Sequence, residues 1–295
     1  MTIQTFLQLL IGGVSIGILY SLPALGITLI WNAAGVFNFA NGDYVALAAY
    51  LTYTLIRTMG LPFPLVLLIV IIFMFIFGIV IEKIIVDTLR KRNLVTRLSL
   101  VCFIALSLTI RYACRFIWTS KPLTYRNPFG TRALNIGGLR VMPHVFWVVG
   151  ICLLFMGLLY FLYKKTKVGI AMRATTQNRT SAALMGVRTN RITSLVFGLS
   201  AAMAGVAGVL SGSIFYASME MGLSFGTKAF AANIVGGFGS PVGAVIGGII
   251  IGVVETFGAT LVSSAMKDIV TFSLLLVFLL FKPKGLFKLE IVEKV

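Results

Sequence analysis

Few side chains in this sequence can do chemistry. Of its 295 residues, 8 are Asp or Glu, 1 is His and 3 are Cys. Catalysis needs such groups in sets: a nucleophile with its base, paired carboxylates, or several ligands around one ion. No G-x-S-x-G or H-E-x-x-H is present, and no pair of acids is spaced for general acid–base work. His144 follows Pro143 at the start of an apolar run and reads as a helix-end polar residue, not a proton relay. Cys102, Cys114 and Cys152 lie inside apolar runs without C-x-x-C spacing, so they read as small buried apolar residues. The stretch "GLSFGTKAF" (222–230) resembles a phosphate loop only superficially. It has three residues between Gly222 and Gly226 and places Thr227 before Lys228, so any use of ATP would have to come from another chain, and no cofactor is expected on this one.

What remains are polar groups set among apolar residues, and these are informative because charge inside a bilayer costs several kcal/mol. Asp43 and Asn41 precede the run Tyr44–Ile56, and two readings are open for them: an ordinary helix N-cap, or a half-helix end facing a solute path. Glu255 lies among apolar residues as either a paired packing carboxylate or a solute contact. Glu220 and Lys228 are read as solvated.

The elements that must position these groups are membrane helices. The composition is 59% hydrophobic and 11% charged, with a mean hydropathy of +1.02. Runs such as "PFPLVLLIVIIFMFIFGIVI" (62–81) exceed the roughly 18 apolar residues that mark a spanning helix. The fold class is therefore all-α and polytopic, with about eight hydrophobic segments near 6–30, 44–56, 62–86, 94–118, 144–163, 193–218, 228–258 and 267–281. The first reads as a retained span, since the first basic residue is Arg57. The 25 Lys and Arg sit in short connections, as on the inner side of a membrane protein, which argues for lipid surroundings and against nucleic acid.

Loop 82–97, loop 164–191 and the tail with Lys282, Lys284, Lys288 and Lys294 are all expected inside, and loop 115–140 outside by parity. Parity also requires the segment between 218 and 267 to enter and leave on the outer side. The 228–258 run then becomes re-entrant: a half-helix near Lys228–Val235, a turn through Gly236, Gly237 and Gly239, and a helix capped by Ser240 and opened by Pro241, with Gly243 in its first turn. Run 44–56 is short enough to be a second such device. Glycines four apart, such as Gly13–Gly17 and Gly248–Gly252, predict close helix crossings.

Residues 169–187, "GIAMRATTQNRTSAALMGV", are polar and basic in an otherwise apolar chain. Two short helices fit them, Ile170–Thr176 and Arg179–Met185, with Asn178 as N-cap and Gly186 as terminator. The product is a basic knob on the inner face, either a solvated loop or a docking element whose Ala, Leu and Met are rimmed by Arg.

Four stretches together resemble the permease subunits of ABC importers for branched-chain amino acids, the LivH type. They are "GVFNFANGDYVALAAYLTY" (35–53), "VGIAMRATTQNRTSAALMGV" (168–187), "AFAANIVGGFGSPVGAVIGGIIIGVVE" (229–255) and "FKPKGLF" (281–287). Asn41 stands where the family usually has His, and Asn178 where it usually has Asp. The resemblance implies one transmembrane permease domain over 1–295 with a coupling loop at 164–192. Its partners would be a second permease, two cytoplasmic ATPases carrying ATP and Mg, and an extracytoplasmic solute-binding protein. It further implies that Gly169, Arg173, Ala174, Asn178, Arg179, Ala183 and Gly186 engage the ATPase, and that Asn38, Asn41, Asp43, Asn233 and Glu255 belong to the solute path. Urea, amides or other amino acids are alternative solutes, and an ion-coupled transporter is the alternative mechanism.

Overall fold

The computed structural model of the protein describes residues 2–119, 121–125, 130, 133–136, 139–282 and 285–287. Lys284, Lys288 and Lys294 of the basic tail lie outside the described residues.

Helix α1 (Ile3–Ala34) is apolar on every side and is accordingly the central element, packed against most of the other helices. Thr2 caps its start by accepting from the Thr5 N–H, and Gly35, at φ +66°, ends it. The chain then doubles back. Asn41, in the first turn of α2 (Asn41–Tyr53), donates to the carbonyl of Pro23, about 16 Å back along α1 from its end. Thus α2 starts inside the bundle and runs outward through a π turn at Thr54–Thr58, which is the half-span expected from run 44–56.

Helix α3 (Phe63–Ile81) continues through a π turn (Glu82–Asp87) into α4 (Thr88–Lys91), and α5 (Val95–Ile117) returns. An antiparallel hairpin, β1 (Leu134–Ile136) and β2 (Leu139–Val141), lies in the connection to α6 (Pro143–Lys165). Leu123 in the same connection pairs with Ala217, just beyond the later helix Thr189–Phe215. The polar stretch forms two helices, α7 (Lys167–Gln177) and α8 (Arg179–Leu184), before α9 (Thr189–Phe215).

The remaining helices are α10 (Met219–Gly236), α11 (Pro241–Leu261) and α12 (Lys267–Phe281). Among the described residues, six helical stretches are long and apolar enough to cross a membrane: 3–34, 63–91, 97–117, 143–165, 189–215 and 241–261. The shorter or more polar α2, α10 and α12 complete the bundle, so among the described residues the eight apolar runs correspond to nine helices because the broken run holds two.

Arg90 and Arg179 both donate to Asn190 Oδ1, at 3.0 and 2.9 Å, and Arg179 Nη1 lies 3.4 Å from the carbonyl of Ala33. The two basic loops and the C-terminal end of α1 therefore share one face, the inner one. Because α1 is continuous, Thr2 lies at the opposite end.

Two expectations change in the re-entrant region. The first arm begins at Met219, well before Lys228, because Gly222 and Gly226 face Gly42 and Asp43 of α2 closely enough to seat a longer helix there. The turn also reaches the inner end of α1, where Asn32 Nδ2 donates to the Gly239 carbonyl at 2.8 Å. Ser240 caps α11 as expected, accepting from Gly243 N at 3.1 Å, and Pro241 opens it. Gly237 at φ +104° and Gly239 at +91° occupy backbone that favours glycine. N–H groups of Leu286 and Phe287 bond the carbonyls of Val235 and Gly236, at 3.0 and 2.9 Å, and so close the end of α10.

Candidate functional site

A cavity of about 360 Å³ lies where the start of α2 meets α1, α5, α10 and α12. Its lining is largely apolar, with Ile27, Phe37, Phe39, Leu108, Phe230 and Phe272. One ion pair stands in the wall: Arg111 Nη2 and Nε approach Asp43 Oδ1 at 3.2 and 3.3 Å, and Ser107 donates to Asp43 Oδ2. The N-cap reading of Asp43 does not hold, since Ala40 occupies the cap position of α2 and Asp43 sits in the first turn, turned toward α5. Its carboxylate still lies at the positive end of that helix. Asn38, in the segment that leads into α2, accepts from Ala40 N and also lines the cavity.

A second cavity of about 620 Å³ lies toward the outer ends of α9, α10 and α12 and shares Leu223, Thr227 and Phe272 with the first. Lys228, Lys267, Asp268 and Glu220 line it. Lys228, expected to be solvated, is only 1% exposed. Its ammonium is 2.5 Å from Glu255 Oε1 and 3.1 Å from Asp268 Oδ1, and it stands over the ring of Tyr20. A buried cation persists only when paired, and two carboxylates do this from α11 and α12. Lys267 adds a contact to Glu255 at 3.6 Å. Glu255 is thus a paired packing carboxylate that borders the outer cavity through Lys228.

The other two path candidates join helices. Asn41 donates to Pro23 O at 2.9 Å and accepts from Ser200 at 3.0 Å, tying α2 to α1 and α9. Asn233 donates to Ala24 O and Ala229 O and accepts from Thr28, tying α10 to α1. Neither lines a cavity described above.

On the inner face, Thr166 caps α7 and Asn178 caps α8, its Oδ1 accepting from Ser181 N at 2.9 Å. Gly186 follows α8 at φ +84°. Leu184 and Met185 are 84% and 87% exposed. Two of the arginines, Arg173 and Arg179, are turned away from them. Arg173 bonds the carbonyl of Tyr163 and covers its ring, and Gly169 packs against the carbonyls of Leu162 and Tyr163, so both anchor α7 to α6. Arg179 reaches inward to Ala33 O, Thr193 and Asn190. Burial pushes its guanidinium below the ordinary value, Arg90 adds to this and Glu82 opposes it, yet an arginine stays charged. Ala174 and Ala183 supply small faces within the two helices.

The sequence reading missed Arg111, Ser107 and Glu82. Glu82 is buried in the π turn after α3, accepting from Ser194 at 2.6 Å with Arg90 at 3.7 Å. Arg111 falls four residues after Ser107 on α5, a spacing that places both on one helix face, and this was the signal available.

The family model described as "Branched-chain amino acid transport system / permease component" matches residues 9–279. The chain is 34% identical to the high-affinity branched-chain amino acid transport system permease protein BraD of Pseudomonas aeruginosa, over 99% of both chains. It is 32% identical to the corresponding LivH of Salmonella typhimurium, over 98% of both chains. To LivH of Escherichia coli it is 31% identical, again over 98% of both chains. No solved structure matches.

Proposed function

The chain belongs to the family of permease components of branched-chain amino acid transport systems, and from that premise we propose that it carries branched-chain amino acids through the membrane. It is a transport component of an ABC importer, integral to the inner membrane, and works with other subunits of that importer. We infer that those subunits are a second permease, two cytoplasmic ATPases holding ATP and Mg, and an extracytoplasmic binding protein that delivers the solute. In this reading ATP and Mg sit on the ATPases, and this chain binds no cofactor of its own.

The observation that carries the reading is Arg179. It belongs to the short helix that presents Leu184 and Met185 to the cytoplasm, and it also holds the end of α1, from which the chain turns back into the cavity wall. An ATPase seated on α7 and α8 thereby acts on the segment carrying Asn38 and Asp43. Gly169, Arg173, Ala174, Asn178, Arg179, Ala183 and Gly186 shape the coupling element. Asn38 and Asp43 face the solute, while Asn41, Asn233 and Glu255 hold the helices that form the path.

The test is purification from the native membrane in mild detergent, followed by reconstituted uptake. Two ATP-binding subunits and a second permease should accompany the chain, and leucine uptake should require ATP and the binding protein. Gly186→Trp should leave membrane insertion intact and abolish solute-stimulated ATP hydrolysis. A chain that arrives alone and moves solute without nucleotide refutes the reading.

A further inference from the structure

The ion pair in the inner cavity is in an unusual setting. The surrounding wall is apolar, and a buried ion pair contributes little more to stability than well-packed apolar side chains of the same volume. Arg111 uses Nε and Nη2 on Asp43, and among the described residues its Nη1 has no partner. Arg111 and Asp43 both line the cavity, whose volume of about 360 Å³ lies within the range of small-molecule sites. A fork donor and a carboxylate thus stand side by side with their combined charge at zero, next to an apolar hollow.

We propose that Asp43 and Arg111 form a site that reads the zwitterionic head of an α-amino acid, a refinement that rests on the transport reading above. The solute carboxylate takes the open Nη1 edge of Arg111, a geometry suited to a planar guanidinium. Its ammonium takes Asp43, whose Oδ2 is oriented by Ser107. The aliphatic side chain lies among Phe37, Phe39 and Phe230. A net cation or anion improves the situation of one wall charge and worsens that of the other, whereas a solute carrying both charges satisfies the two. Urea and neutral amides have no charges to offer this pair, so the site selects against the alternative solutes that the motifs alone leave open.

The experiment uses the assembled transporter in nanodiscs without binding protein, so that the permease's own preference is read. Tritiated L-leucine is displaced by unlabelled L-leucine, by leucinamide, which lacks the carboxylate, by isocaproate, which lacks the ammonium, and by neutral isovaleramide. Each single-charge analogue should displace about tenfold more weakly than leucine, or worse, and isovaleramide least of all. Arg111→Gln should bring leucine and leucinamide close together, and Asp43→Asn should do the same for leucine and isocaproate. Equal displacement by leucine and both analogues in the wild-type complex overturns the proposal even where the variants fail to assemble. So does retention of both gaps in assembled variants. ATP-driven leucine uptake is measured in parallel with binding protein present. Uptake without displaceable leucine binding removes this site and leaves the transport reading standing, whereas no branched-chain amino acid uptake removes both.

Discussion

Lys228 Nζ lies 2.5 Å from Glu255 Oε1, joining α10 to α11 with both side chains withdrawn from solvent. Asp268 brings α12 into the same cluster at 3.1 Å. Three helices around the outer cavity are thereby held through one ammonium. Removing it leaves the buried Glu255 carboxylate with only the longer contact to Lys267, at a cost of up to about 3–5 kcal/mol. Lys228→Met should sharply lower the melting temperature of the solubilised protein. Lys228→Met/Glu255→Gln should recover most of the loss, and a double variant as unstable as the single one would contradict this account.

The α1–α11 crossing rests on backbone proximity. A Cβ on Gly17 would meet Ile249 Cα at 2.6 Å and the Gly248 carbonyl at 2.7 Å, while one on Gly12 meets nothing within 4 Å. Gly17→Val should therefore cost about 1–3 kcal/mol or more and reduce folded yield on size-exclusion chromatography. Gly12→Val should elute like the wild type. Similar behaviour of the two would mean that the crossing tolerates separation.

Asn178 performs as a cap even though the family usually places Asp there. Asn178→Ala should destabilise α8 by about 1 kcal/mol and reduce solute-stimulated ATP hydrolysis, while Asn178→Asp should preserve it. Loss of hydrolysis in the Asp variant would point to a charge effect at the ATPase contact in place of helix capping.

Asn190 accepts from Arg90 and Arg179 with one oxygen, so it links the loop after α3 to the start of α8. Asn190→Leu should leave the subunits associated but weaken the dependence of hydrolysis on solute. Asn190→Asp, which keeps the acceptor, should restore it. Unaltered coupling in the leucine variant would place the connection elsewhere, for instance at Arg179 and Ala33.

The sequence was most readable where local chemistry is decisive. Asn178, Ser240 and Pro241 mark helix starts by side-chain and ring geometry alone, and all three do so here. The half-span after Asn41 was legible because a run too short to cross a bilayer must end within it. Lys228 was misread because its partners lie 27 and 40 residues away, on helices that only tertiary packing brings together. Arg173 and Arg179 looked like a surface rim for the same reason: the acceptors are the Tyr163 carbonyl for one and Ala33 O, Thr193 and Asn190 for the other, which composition does not reveal. The Asp43–Arg111 pair was half visible, with the acid singled out and its cation hidden within a span that looks like simple lipid-facing helix.

The hydrogen bonds from Leu286 and Phe287 to Val235 and Gly236 have a consequence for biogenesis. The carbonyls that end α10 receive these partners only after every full-length span has left the ribosome. Until then the end of α10 beside the Asn32 contact lacks these two donors. In order of synthesis these two bonds therefore come last, and a nascent chain halted after α12 would carry all the helices named above with that corner still lacking them.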